Sequence, residues 1–351
     1  MKYSIIVPVY NRPDEVDELL ESLCSQTMKD FEVVIVEDGS EKTCKDVCDK
    51  YADILVLHYY YKENSGPGQS RNYGAERAQG DWLIILDSDV VLPPDYMQAV
   101  DKSINYQLSI VNCQLAAFGG PDAAHPSFTP VQKAISYSMT SFFTTGGIRG
   151  GKKKLDKFYP RSFNMGIRKD VYLQLGGFSK MRFGEDIDFS YRIVEAGHQP
   201  QLFPDAWVWH KRRTDFRKFF RQVYNSGIAR INLEKRHPGT MKLVHLLPMV
   251  FTVGVIAMVL ISAVGRVLMH YDDVHRWYWL CAAPWLPILL YSLVILIDST
   301  IQNKSLKVGL LSVPAAFVQL MGYGFGFIEA WWKRCVRKQD EFTAFEKNFY
   351  K

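Results

Sequence analysis

Three long uncharged runs near the C-terminal end, residues 246–264, 277–297 and 308–328, restrict this chain more than any other feature of it. Each approaches the roughly 20 apolar residues that a helix needs to cross a hydrocarbon layer. Buried helices of a large soluble domain are the competing reading, and three in succession at one end argue against it. Residues 1–243, by contrast, read as an ordinary water-soluble α/β sequence. The expected division is a domain over 1–212, a basic amphipathic helix region over 213–243, a hydrophobic region of two or three membrane segments over 244–330, and a basic tail over 331–351. The net charge of +5 over 351 residues is mild, and nucleic acid is not expected as a partner. Cysteines 24, 44, 48, 113, 281 and 335 lack metal-finger spacing and are expected as free thiols in a reducing compartment.

Strand and helix signals alternate through the first 90 residues. Buried strands are expected at 3–9, 31–36, 54–59 and 82–86, with helices at 13–25, 42–50 and 69–79 between them. That order predicts a doubly wound, mostly parallel sheet. Further on, strand is expected at 162–167, 201–203 and 206–209, and helix at 168–175 and from Glu185. Residues 144–154 hold four glycines and four cations, which fits either a surface loop or a lid whose cations meet phosphates. Residues 216–236 combine Arg217, Lys218, Arg221, Arg230, Lys235 and Arg236 with Phe219, Phe220 and Tyr224. Such a helix suits the surface of an anionic membrane, or is simply a solvated face.

Four groups of residues fall at the carboxyl ends of the expected strands, the edge where open α/β sheets bind ligands. They are Pro8-Val-Tyr10-Asn11, Glu37-Asp38-Gly-Ser, Gly66-Pro-Gly-Gln-Ser-Arg71 and Asp87-Ser88-Asp89. Asp87 and Asp89, two residues apart, point the same way in an extended segment. A divalent cation held by oxygen would relieve their repulsion. Two solvated turn aspartates before Pro93-Pro94 are the plain alternative. An aromatic ring, an acid and an arginine at this edge fit a nucleotide and its phosphates. Glu185 and Asp186 begin a helix, where acid is favoured for helix capping alone.

Taken in order, Val7-Pro-Val-Tyr-Asn-Arg, Val36-Glu-Asp-Gly-Ser, Asn64-Ser-Gly-Pro-Gly-Gln-Ser-Arg-Asn, Leu86-Asp-Ser-Asp, Asn164-Met-Gly and Gly184-Glu-Asp resemble the family-two glycosyltransferases over about residues 3–210. The resemblance implies the nucleotide-sugar-binding glycosyltransferase fold, a divalent metal (Mn or Mg) and sugar transfer with inversion. It assigns Pro8, Tyr10, Asn11, Asp38, Arg71, Asp87 and Ser88 to the nucleotide-sugar donor. Asp87 and Asp89 would hold the metal, with His210 resembling the late histidine that completes the site in some relatives. Asp186 would be the general base, with Glu185 beside it. Glu37 departs from the aspartate of many relatives, which leaves its role open.

The expected partners are a nucleotide-diphosphate sugar, a saccharide or lipid-linked acceptor, and membrane lipid. A processive polysaccharide synthase is disfavoured because Gln222 is followed by Val-Tyr-Asn-Ser rather than the Gln-x-x-Arg-Trp pattern. A nucleotidyltransferase would not need the late Glu-Asp pair. The expected location is the inner (plasma) membrane, multi-pass, with the catalytic domain cytoplasmic, because Met1-Lys-Tyr leads straight into the first strand. Lys235, Arg236 and Lys242 before the first run, and Lys333, Arg334, Arg337 and Lys338 after the third, all favour the inner side. Three full crossings cannot satisfy both, so either the rule is overridden or one run is re-entrant or lies in the interface. The run holding Pro314, Gly322, Gly324 and Gly326 is the expected irregular one.

Overall fold

The computed structural model describes residues 1–110, 115–145, 158–271 and 277–345. Cys113 and most of the 144–154 segment lie outside them. The chain divides into two compact units, one of residues 1–126 and 152–211, the other of residues 127–151 and 212–351.

The first unit is built on strands β1 (Tyr3–Val9), β2 (Phe31–Asp38), β3 (Leu57–Lys62) and β4 (Trp82–Leu86), linked by helices α1 (Pro13–Cys24), α2 (Lys45–Tyr51) and α3 (Pro67–Arg77). After β4 come β5 (Val90–Val91), α4 (Tyr96–Ser109), β6 (Ala117–Gly119) and β7 (Asp122–Ala123). The seven-stranded sheet has the order β3-β2-β1-β4-β8-β6-β9, with β8 at Asn164–Arg168 and β9 at Gln201–Leu202. The first four strands run parallel and β8 runs antiparallel to both its neighbours. Strands β2 and β4 are buried throughout, as β-branched runs covered on both faces must be. On one face Val16, Leu19, Leu20 and Leu23 of α1 pack with Ile5, Val7, Val33 and Ile84. On the other, Ile6, Val34, Leu83 and Ile85 pack with Tyr172, Phe178 and Phe189.

The third strand starts three residues later than its expected position. Ile54 N and Leu55 N both donate to Tyr51 O, so this stretch closes α2 as a turn instead of entering the sheet. Downstream lie α5 (Pro130–Thr140) and α6 (Phe142–Thr145), which belong to the second unit. Helices α7 (Lys169–Gln174) and α8 (Glu185–Glu195) return to the first, followed by β10 (Val208–His210). A second, small sheet has the order β5-β10-β7.

The second unit continues with α9 (Phe216–Arg236), α10 (Leu247–Tyr271), α11 (Tyr278–Ala282), α12 (Leu286–Asn303) and α13 (Leu306–Ala330). Three stretches, Leu243–His270, Tyr278–Asn303 and Leu306–Val336, are helical, long enough and apolar enough to cross a membrane. Helix α13 is continuous for 25 residues with Pro314 inside it, so the third run is not broken as a helix. Its glycines are sites of close helix packing: a Cβ on Gly326 would stand 2.0 Å from Tyr224 O of α9. Helix α9 is not one basic-aromatic surface either. Phe219 is fully buried against Ile135, Met139 and Val223. Arg230 is buried and donates to Thr240 Oγ1 at 2.6 Å.

A Cβ on Gly227 of α9 would stand 2.2 Å from Tyr323 O of α13. Alanine there gains about 1 kcal/mol in helix propensity, but relieving that approach means moving backbone, and overpacking typically costs about 1–3 kcal/mol. Gly227→Ala should therefore lower the thermal unfolding midpoint of the detergent-solubilised protein. Gly254→Ala, with nothing within 4 Å, should leave it level or higher.

Candidate functional site

The strand-end groups meet at one edge of the first unit. Burial alternates after β4: Asp87 and Asp89 are half-buried, while Ser88 between them is buried. The small sheet then fixes the other side of the cluster. Val90 pairs with His210 and Val91 with Trp209, and Lys211 N donates to Asp89 O at 3.0 Å. One ligand atom each from Asp87, Asp89 and His210 lie within 4.8 Å of one another. His210 Nε2 stands 3.2 Å from Asp89 Oδ1, and Phe163 stacks on the imidazole at 4.9 Å between centroids. Two acceptors at that spacing, a neutral imidazole lone pair and a carboxylate, need a proton or a cation between them. Hard oxygens with one imidazole suit Mg2+ or Mn2+, and the residues fit such an ion.

Arg71 ties this cluster to the acidic start of α8. Its Nη2 donates to Asp87 Oδ1 at 2.7 Å and its Nη1 to Glu185 Oε1 at 2.9 Å. The guanidinium is buried over the Phe178 ring, 5.1 Å from its centroid. Burial disfavours its charge, but Asp87 and Glu185 more than offset this and hold it protonated. Asn72 sets that floor: its Nδ2 donates to Phe178 O, and its Oδ1 accepts from Phe178 N and the Tyr172 hydroxyl.

Gly184, with φ of 86°, turns the chain into α8 so that Glu185 and Asp186 fill its first turn. The two acids then diverge. Burial pushes Glu185 up to about 7 against the pull of Arg71, and neighbouring Asp186 adds to the push. Burial acts the same way on Asp186, but Arg161 and Arg71 hold it below its ordinary range. Arg161 Nε donates to Asp186 Oδ2 at 2.6 Å, and Ile187 N donates to Oδ1 at 2.8 Å. Neighbouring acids with pKa values driven apart are suited to different roles.

The remaining candidates lie on the loops beside β1 and β2. Pro8 pairs with Val36 across the sheet, and Tyr10 is half-buried. Asn11 has a φ of 55°, and its Oδ1 accepts from Glu41 N and Lys42 N at 2.8 and 2.9 Å, so its side chain organises the neighbouring loop. Asp38 is also committed: it accepts from Ser65 N and Gly66 N, both at 2.9 Å, and from Lys62. Glu37 is buried and accepts from Cys44 N at 2.8 Å, Cys44 Sγ at 3.0 Å and the Ser40 hydroxyl. That gives the residue departing from the family pattern a structural role. Sequence reasoning missed Arg161, Phe163, Asn72 as a clamp, and Asp122, whose Oδ2 lies 3.9 Å from His210 Nδ1. Asn72 stood inside a quoted motif; the other three carried no local signal.

Residues 4–173 match the model of the family described as Glycosyl transferase family 2. An uncharacterized glycosyltransferase of Haemophilus influenzae is 32% identical over 210 residues, covering 57% of this chain and 64% of that protein. Validoxylamine A glucosyltransferase of Streptomyces hygroscopicus subsp. jinggangensis is 40% identical over 101 residues, 28% of this chain and 24% of that protein. The chain thus spans less than two thirds of the length of these relatives. Among solved structures, the mannosyltransferase PcManGT of Pyrobaculum calidifontis, in complex with GDP-Man and Mn2+, superposes with a TM-score of 0.55 at 14% identity, covering 95% of this chain and 88% of that one. That likeness concerns the fold, a mostly parallel sheet between helices. The ordered strand-end motifs and the family match over residues 4–173 together support a family 2 glycosyltransferase domain in this chain.

Proposed function

We propose that this protein is a membrane-bound, metal-dependent inverting glycosyltransferase that moves one sugar from a nucleotide-diphosphate sugar to a hydroxyl of a saccharide or lipid-linked acceptor, in cell-envelope glycan or lipid-linked saccharide synthesis. One observation carries the reading: Arg71 joins the Asp87–Asp89–His210 cluster to the Glu185–Asp186 pair within a single site. A leaving-group side and a proton-accepting side are what a single displacement at the anomeric carbon requires.

Asp87, Asp89 and His210 would hold the divalent ion, Mn2+ or Mg2+, which when bound neutralises charge on a diphosphate. Pro8, Tyr10 and the loop that Asp38 organises line the edge given to the nucleoside, with Ser88 beside the diphosphate. Arg71, already shared by two carboxylates, supplies fixed positive charge to the diphosphate side. Asp186, kept ionised by Arg161, accepts the proton from the acceptor hydroxyl as the new glycosidic bond forms. Glu185 Oε1 accepts from Arg71 Nη1, so Glu185 serves as the anchor for Arg71.

The second unit supports a particular way of meeting the membrane. In the most apolar window of each candidate span, 6% of the first and second is buried inside the protein, against 44% of the third. One side of helix α13 packs on α5 and α9, where Ala134 and Phe216 meet Val308 and Leu311, and Ile228 and Ile231 meet Phe327, while Gly324 packs on Pro248 of α10. Exposed Arg217, Lys218, Lys235 and Arg236 keep α9 out of hydrocarbon, where each charge costs about 2.5–3.5 kcal/mol at the centre of a span. We therefore read α10 and α12 as a lipid-facing hairpin and α13 as lying with α9 at the cytoplasmic interface. Two crossings leave both basic clusters on the inner side, as the positive-inside rule asks.

Asp186→Asn should abolish transfer while leaving nucleotide-sugar affinity nearly unchanged by calorimetry; equal loss of affinity would assign Asp186 to the donor. Arg161→Ala removes the cation that holds Asp186 low, so the acid limb of the kcat–pH profile should move to higher pH, and an unmoved limb would remove Asp186 as the base. Asp89→Ala should weaken nucleotide binding in the presence of Mn2+ to the level wild type shows with a chelator, and the metal role fails if the chelator changes nothing in wild type. In oriented vesicles, cysteines replacing Lys304 and Lys338 should label from one side and a cysteine replacing His270, at the far end of the first span, from the other. Labelling of Lys304 and Lys338 positions from opposite sides would make α13 a full crossing.

A further inference from the structure

We propose that Asp122 is a positioning residue that orients the His210 imidazole toward the Asp87–Asp89 pair, an inference that rests on the metal-site reading above. The small sheet places it there. Strand β7 pairs in parallel with β10, Asp122 beside Val208 and Ala123 beside Trp209, while β5 holds Val90 against His210 from the opposite side. The two ring nitrogens consequently face two different carboxylates: Nε2 is 3.2 Å from Asp89 Oδ1, and Nδ1 is 3.9 Å from Asp122 Oδ2. Phe163, stacked nearly parallel at 24°, fixes the plane of the ring between them. Both side chains are mostly shielded, 17% exposed for His210 and 22% for Asp122.

The chemistry follows from the imidazole itself. It can lend a lone pair to a cation only from the nitrogen that carries no proton. Nε2 faces the aspartate pair, so the proton belongs on Nδ1, on the side of Asp122. At 3.9 Å the Asp122 carboxylate is beyond a formed hydrogen bond, but its charge on that side favours that tautomer. Partners of this kind behind a ligand histidine are typically worth about 10–100-fold in metal affinity. Asp122 also lies close enough to Arg161 to favour that guanidinium's charge, and the experiment separates the two effects.

The test is Mn2+ binding by the purified full chain without nucleotide, followed by electron paramagnetic resonance, with the unfolding midpoint recorded for each variant. Asp122→Ala should weaken binding about ten- to a hundredfold, and Asp122→Asn, which keeps the size and one acceptor oxygen, should weaken it less. In a His210→Ala background, Asp122→Ala should add nothing further. An unchanged affinity in Asp122→Ala would overturn the proposal, as would an equal loss with and without His210, which would reduce Asp122 to a general source of negative charge. Should Asp122→Ala not fold, Asp122→Asn carries the test by 15N-histidine NMR: a mixed or inverted His210 tautomer supports the assignment, and an unaltered tautomer with unaltered Mn2+ affinity refutes it. Wild-type protein that binds no Mn2+ would overturn the metal reading itself, whereas wild-type binding with an unaffected variant would overturn this inference alone.

Discussion

The site depends on one buried cation. Asp87 and Glu185 come from elements almost a hundred residues apart in the chain, and both aim carboxylates at Arg71. Bringing two anions together at low exposure is unfavourable without a compensating charge, and Arg71 supplies it through separate nitrogens. The arrangement is not a gain in stability for its own sake, because a buried ion pair recovers little beyond its own desolvation. Its consequence is specificity of position. With Arg71 held over Phe178 and pinned by the Asn72 clamp, the acidic start of α8 has one place to dock, and the end of β4 is tied to it.

A second constraint operates on a smaller scale. Strands of two or three residues contribute little stability, yet the β5-β10-β7 sheet sets the register of His210 against the residue following Asp89. Asn164 reinforces it from the main sheet: its Nδ2 donates to Ala206 O at 2.8 Å and its Oδ1 accepts from the buried Tyr96 hydroxyl at 2.7 Å. The Asn164-Met-Gly motif thus acts by holding the segment that leads to His210. A shift of one residue in so short a ladder would turn the imidazole to the other face, so the polar ties on either side matter more than the strand's own length suggests.

This explains which parts of the molecule were readable from the chain alone. The buried strands β1, β2 and β4 and the helix α1 announce themselves because apolar periodicity and tertiary burial agree at Ile5, Val33, Ile84 and Leu19. The paired acids were readable because they sit at the carboxyl ends of those strands or at a helix start. The third strand was misplaced because Ile54 and Leu55 are apolar residues in a helix-closing turn. Asp122, Arg161 and Phe163 were invisible for a different reason: each acts through a partner brought close only by the fold, and no local pattern marks an acid, a base or an aromatic as someone else's support.

The apolar C-terminal half shows the limit of composition most clearly. By length and composition all three stretches could cross a membrane, though the third is the least apolar of them, and its glycines with Pro314 mark it as the irregular one. In the folded unit Gly326 of α13 and Gly227 of α9 let those helices approach until a backbone carbonyl fills the space of a side chain, and Gly324 does the same against Pro248 O of α10. Helix α13 has more of its apolar window inside the protein than α10 or α12, 44% against 6% for each. Apolar length therefore licenses a crossing without requiring one. What decides is the partner along the helix, and for α13 that partner carries Arg217, Lys218, Lys235 and Arg236 on its exposed side, charges that belong in water.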